Sequence, residues 1–249
     1  MPEDRSVLTR PAPPPDAVVA YGDGPEQIAD VRYGHGGRTD LPLVIVLHGG
    51  YWRPAYDRVH TGPMTDALAA RGWTVAAPEY RRIPGNPDAM LEDIRRAVVT
   101  LPEALDRHDG RFIAIGHSAG GHLALWAAAT LALPRLLGVL ALAPVADLAL
   151  AHRLALGDGA VEAFLGTAPE QRPDIDPRLL DSPVVDIEIV HGEQDEVVPP
   201  EVSESYVARH QRTRLTFVGG CGHFQLIDPL SAAWPDVLGA VQRLSGNGA

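Results

Sequence analysis

The run from Arg111 to Trp126, R-F-I-A-I-G-H-S-A-G-G-H-L-A-L-W, limits what this chain can fold into more than any other. Phe112-Ile113-Ala114-Ile115 is a short apolar strand. The chain then breaks at Gly116-His117-Ser118-Ala119-Gly120-Gly121 and re-enters an alanine- and leucine-rich helix. A strand that turns straight into a helix, with a serine at the corner, packs chain tightly around the bend. Gly116 and Gly120 remove the Cβ atoms that would clash there. The helix behind the serine aims free N–H groups and the positive end of its dipole at negative charge developing on that side. G-x-S-x-G in this setting marks Ser118 as a nucleophile, the bland alternative being a small-residue turn without chemistry.

The flanking sequence repeats the strand-then-helix rhythm. Leu43-Val44-Ile45-Val46-Leu47 is a continuous apolar run, the pattern of a strand buried on both faces. Met64–Arg71 reads as a helix and Trp73–Ala77 as a strand. Asn86-Pro87 is an N-cap followed by proline at the first helical position. Met90, Leu91, Ile94, Ala97, Val98 and Leu101 then form one apolar helical face, with Glu92, Asp93, Arg95 and Arg96 outward. Leu137–Leu142, Ile187–Val190 and Leu215–Val218 are further strands and Val202–His210 a helix, while Asp228-Pro229 is expected to cap a final helix through Leu244. Val18–Tyr21 and Ile28–Tyr33 flank Gly22-Asp23-Gly24-Pro25 and read as a hairpin. This alternation predicts an α/β chain with a mostly parallel sheet and helices on both faces. Residues 1–16, with prolines at 11, 13, 14 and 15, read as a flexible leader, and residues 17–249 as a single domain. Residues 148–182 depart from the rhythm and read either as a small cap over the strand ends or as a long crossover.

Composition narrows the partners. Acidic residues outnumber basic ones 32 to 21, a formal charge of −11 with no basic block, which argues against nucleic acid and anionic membranes. A single cysteine, Cys221, excludes an intramolecular disulfide and any multi-cysteine metal site. The N-terminus lacks an apolar signal core, and the most apolar region, Leu123–Leu156, is broken by Pro134, Arg135, Pro144 and Asp147. The expectation is a cytoplasmic protein acting on a small molecule, with a homodimer left open.

A serine hydroxyl needs a base, and the base needs an orienting carboxylate. After the strand Ile187–Val190 stands H-G-E-Q-D-E-V-V-P, which marks Asp195 as the acid, with Glu193 and Glu196 as close rivals. Gly219-Gly220-Cys221-Gly222-His223-Phe224 follows the last strand and offers His223 as the base. His117 and His122 are committed to the turn and helix, His191 reads as structural, and Cys221 as a small thiol filling space. His48-Gly49-Gly50-Tyr51-Trp52 follows the strand ending at Leu47. Acyl transfer develops an oxyanion that preorganised N–H donors stabilise. Ala119 is one expected donor, and Gly49 or Gly50, with Tyr51 a further option, supply the rest. His48 reads as a buttress of that loop. Tyr51 and Trp52 are candidates for lining the substrate pocket, core packing being the alternative.

This set resembles the α/β-hydrolases of the H-G-G-x-W type, a family that includes kynurenine formamidases (arylformamidases) and related esterases. The resemblance rests on His48–Trp52, Glu79-Tyr80-Arg81, Gly116–Gly120, Asp195 and His223, in family order from Leu43 to Phe224. It implies an α/β-hydrolase fold with a small or minimal cap. It further implies metal-free, cofactor-free hydrolysis of an aryl formamide, through an acyl-enzyme on Ser118, releasing formate and kynurenine. Tyr80-Arg81-Arg82-Ile83-Pro84 also fits the Y-R-x-x-P of esterases that carry H-G-G-G, so a carboxylesterase of small acyl or aryl esters is the alternative. A hydrolase-fold binding protein without turnover is a third reading, because fold alone does not fix function.

Overall fold

The computed structural model describes residues 3–246. Its eight strands form one sheet: β1 Ala17–Ala20, β2 Ile28–Arg32, β3 Leu43–Leu47, β4 Val75–Pro78, β5 Phe112–His117, β6 Leu136–Leu142, β7 Asp186–Gly192 and β8 Arg214–Val218. Their order is β1-β2-β4-β3-β5-β6-β7-β8, antiparallel at the β1–β2 hairpin and its junction with β4, and parallel from β4 to β8. The helices are α1 Gly62–Ala69, α2 Pro87–Ala104, α3 Ala119–Thr130, α4 Leu148–Arg153, α5 Leu156–Leu165, α6 Glu201–Arg209 and α7 Trp234–Leu244.

Two cores, one on each face, account for the unbroken apolar strands. Leu43, Ile45 and Leu47 of β3 join Met90, Ile94 and Leu123 of α2 and α3 on one face. Val44 and Val46, pointing the opposite way, meet Met64 and Leu68 of α1 and Val237 and Val241 of α7 on the other. Such strands bury every residue, and β3 does.

Strand order reverses between β3 and β5. The chain leaves β3 toward α1 on one face and leaves β5 toward α3 on the other, which opens a crevice where the two loops part. The register Leu47↔Gly116 sets the loop after β3 beside Ser118, and Gly192↔Val218 sets the loops of Asp195 and His223 beside each other.

The structure corrects several expectations. Residues 3–16 are not a loose leader: Ser6–Thr9 forms a 3-10 turn, Val7 is buried, and Arg10 pairs with Asp228. Arg32 also donates to the carbonyls of Pro13 and Pro14 at 2.6 and 3.1 Å. Short apolar side chains between prolines dock well, because proline leaves little chain entropy to lose. Met1, Pro2 and residues 247–249 lie outside the described residues. Asp228 does not cap α7, which starts at Trp234; its carboxylate takes the Leu230 N–H at 2.8 Å and the Arg10 guanidinium instead. Trp52, expected beside the substrate, is buried against α5. Between β6 and β7, α4 and α5 lie over the loop after β3, where Phe164 stacks on Trp52 at 4.5 Å and a Cβ at Gly157 would touch the Tyr51 ring at 2.9 Å. Among the described residues no helix is long and apolar enough to cross a membrane.

Candidate active site

Ser118 sits between β5 and α3 at φ 57°, ψ −119°, a conformation that L-residues rarely adopt. The surrounding packing enforces it. A Cβ at Gly116 would lie 2.1 Å from Gly120 O, and one at Gly120 would lie 2.1 Å from Leu47 O. The Ser118 N–H donates to Leu142 O at 2.8 Å, and its carbonyl accepts from His122 N–H at 3.1 Å. Ala119 opens α3, so its N–H has no intrahelical acceptor.

His223 and Asp195 meet at the ends of β8 and β7. The Nδ1–H of His223 donates to Asp195 Oδ2 at 2.6 Å, with both side chains buried. That bond fixes the tautomer and leaves Nε2 as the basic nitrogen. Burial pushes the Asp195 carboxyl upward, but the His223 charge, hydrogen bonds from His191 and His223 and the Val198 N–H together hold it well below the usual carboxylate range. Asp195 Oδ1 takes the N–H groups of Val197 and Val198 at 2.8 and 2.7 Å. Glu193 and Glu196 are exposed, so of the three acids only Asp195 reaches the imidazole. His191 is structural as expected: its Nε2–H points to Val198 O at 2.8 Å and Asp195 Oδ2 at 3.3 Å. Cys221 is buried, and burial together with the Asp195 charge pushes its thiol up to about 12, which leaves no thiolate at neutral pH.

The loop after β3 turns at Gly50 (φ 111°), then carries positive φ through Tyr51 (52°) and Trp52 (55°), and closes with Arg53 N–H on Gly50 O at 3.0 Å. The N–H groups of Gly49, Gly50 and Tyr51 find no acceptor among the described residues. A Cβ at Gly49 would press on His117 O at 2.9 Å and Ser118 Cβ at 3.1 Å, so bare backbone faces the serine there. His48 buttresses this loop: Nδ1 bonds Gly49 O at 2.8 Å, Nε2 bonds Glu79 Oε1 at 3.0 Å, and Tyr80 stacks on the ring at 4.2 Å. Burial works against the Glu79 charge, but the His48 hydrogen bond and charge, the Arg58 N–H and Arg82 bring its carboxyl down to about 2. Glu79-Tyr80-Arg81 is therefore scaffold, with Arg81 gripping Asp93 at 2.7 and 2.8 Å; Asp93 is buried by this pairing and does not face outward as the helical pattern predicts.

The two aromatic candidates part company. Tyr51 lines the cavity, and its hydroxyl donates to Val197 O at 2.6 Å. Trp52 is buried between Phe164 and His122, away from the cavity. The two rings stay in edge contact, centroids 6.4 Å apart, but behind two consecutive left-handed residues only Tyr51 reaches the cavity, which sequence could not reveal.

A cavity of about 70 Å³ opens in front of Ser118, lined also by His223, Gly50, Tyr51, Val197 and Phe224. Sequence reasoning missed several of its walls. His117, set aside as part of the turn, lines it and donates Nε2–H to His223 O at 3.1 Å; burial, reinforced by the His223 charge, keeps His117 neutral. His60 and Tyr56 come from the segment before α1, and burial, then the His48 charge, brings His60 down to about 4. Arg5 and Leu8 come from the leader. Position relative to a glycine loop is the one signal that pointed at any of these, and it pointed at His117 only.

A family model described as BD-FAE matches residues 29–138. Kynurenine formamidase of Salmo salar is 39% identical over 107 residues, which is 43% of this chain and 36% of that protein. Esterase LipC of Mycobacterium tuberculosis is 28% identical over 84% of this chain and 60% of its own length. The chain thus spans between about a third and three fifths of these curated relatives. Among solved structures, a truncated carbohydrate esterase from gut microbiota superposes with a TM-score of 0.76 at 20% identity, covering 92% of this chain and 95% of its own. The Thermogutta terrifontis esterase with butyrate bound gives 0.68 at 19% identity, covering 91% and 92%. With the sheet order and the strand–serine–helix turn, these likenesses make the chain an α/β-hydrolase by fold that resembles kynurenine formamidases and esterases in sequence.

Proposed function

We propose that the protein is a serine hydrolase of small acyl compounds, with an aryl formamide of the N-formylkynurenine kind as its preferred substrate. The carrying observation is the 2.6 Å bond from His223 to buried Asp195, beside a serine held in a strained turn on the same cavity. His223 Nε2 takes the Ser118 Oγ proton as Oγ attacks the carbonyl carbon. The oxyanion is met by the N–H groups of Ala119 and of Gly49 or Gly50. As the tetrahedral intermediate collapses, the C–N bond breaks and His223 returns its proton to the leaving amine. Water then attacks the formyl-enzyme, giving its proton to His223, and Ser118 recovers one as formate departs.

A cavity of about 70 Å³ beside Ser118 is small, which supports a compact acyl substrate. Short esters satisfy the same limit, and the broad alignment to esterase LipC supports a carboxylesterase as the second reading.

Ser118→Ala should lower turnover by at least about 10³-fold with the fold intact. Undiminished turnover by that variant would remove the serine from the chemistry. In wild type, a higher kcat/KM for N-formylkynurenine than for phenyl acetate assigns the formamidase; the reverse ranking assigns the esterase.

A further inference from the structure

The cavity in front of Ser118 is walled partly by the leader, through Arg5 and Leu8. Glu3 fastens that segment: both its oxygens accept the His223 N–H, at 2.9 and 3.0 Å, and one takes the Glu196 N–H at 3.3 Å. Val7, buried, and Arg10, paired with Asp228, fasten it on the far side. Arg5 is held between these points. Its guanidinium lies over the Phe224 ring, 5.2 Å from the centroid, and lines the cavity.

Among the described residues this guanidinium has no acidic partner. The acids beside it in sequence are engaged: Glu3 by His223 and Glu196, and Asp4 by the Ser6 N–H at 2.9 Å. Contact with the Phe224 ring takes up none of its N–H groups, and they make no hydrogen bond among the described residues. Their planar fork matches a carboxylate with two parallel hydrogen bonds. Arg53, beside the Tyr51 ring, is committed to Gly157 O. In a chain of net charge −11, an unpaired arginine at the cavity mouth is a local exception.

We propose that Arg5 is a specificity-determining residue that anchors a carboxylate on the leaving-group side of the substrate. This rests on the hydrolase reading above and narrows it to aryl amides or esters that carry a carboxylate. The substrate lays its aromatic part against Phe224 and Tyr56, its acyl group reaches Ser118, and its carboxylate meets Arg5.

The test compares 4-acetoxybenzoate with its uncharged counterpart 4-acetoxybenzamide, each corrected for its own hydroxide-catalysed rate. Wild type should favour the carboxylate in kcat/KM by about fivefold or more, as expected of a partly exposed ion pair. The preference should shrink at about 0.5 M salt, where the Debye length falls to a few ångströms. Arg5→Gln should bring the ratio near one, and Arg5→Glu should invert it. Arg5 is exposed, so neither change threatens folding. A wild-type ratio near one, or one that Arg5→Gln leaves unaltered while both esters are hydrolysed, overturns the anchor alone. If neither ester is turned over above the Ser118→Ala background, the hydrolase reading falls and the anchor with it.

Discussion

At Ser118 the backbone holds a conformation that costs of order 1–3 kcal/mol for a non-glycine residue, and the close packing of Gly116 and Gly120 prevents its relaxation. Ser118→Gly removes that strain together with the proposed nucleophile. The expected result is a gain in stability of about 1 kcal/mol by chemical denaturation, alongside loss of turnover. An unchanged or lower midpoint would mean the turn is not strained. The residues that announced themselves in sequence were those whose chemistry demands a particular neighbour: Ser118 between glycines, Asp195 just past a strand, His223 in a glycine-rich loop. His60, Tyr56 and Arg5 were silent because nothing local distinguishes a cavity wall from an ordinary surface position. Trp52 misled because its ring direction depends on two backbone angles that sequence does not state.

Elements were legible where both faces of a strand are buried, since a short, unbroken apolar run bounded by turn residues fits little besides such a strand. The boundaries were less so: β4 begins two residues beyond the expected start, and α7 begins at Trp234, not after Asp228-Pro229. The docking of α4 was invisible, because it depends on two carboxylates brought together by tertiary structure. Asp147 caps α4 through the Leu150 N–H at 2.8 Å and accepts from Ser205 of α6 at 2.5 Å, while Asp176 accepts from Arg178 N–H at 3.1 Å. Burial, then the Asp147 charge, raises Asp176 to about 6. A carboxyl with a folded pKa above its unfolded value binds more protons when folded, so it favours folding at low pH and loses that contribution as pH rises from about 4 to 6. Asp176→Asn should therefore stabilise the protein by about 1–2 kcal/mol at pH 8, with the gain disappearing near pH 4. Equal effects at both pH values in thermal unfolding would show that Asp176 does not titrate in this window.

Across the whole molecule, one sheet edge gathers loops from β3, β5, β7 and β8, and the leader closes over them. Deleting residues 1–10 removes buried Val7, the Arg10–Asp228 pair and the Glu3 hold on His223. Burial of one valine is worth about 1.5–3 kcal/mol, so the melting temperature should fall by roughly 4–10 °C. Hydrolysis of a neutral ester should slow by about tenfold as the His223 loop loosens. A shortened protein with the parent's melting temperature and rate would show that the leader merely rests on the surface. The bend at Ser118 has one more consequence. Its shape comes from the frame around it, namely two glycines, the Leu142 carbonyl and the first turn of α3, and not from the hydroxyl. A protein carrying alanine there keeps an unaltered mould but has lost the tool. If Ser118 is the nucleophile proposed above, such a protein becomes a substrate trap: incubated with a metabolite mixture, it should retain intact the molecule that the parent protein would cleave.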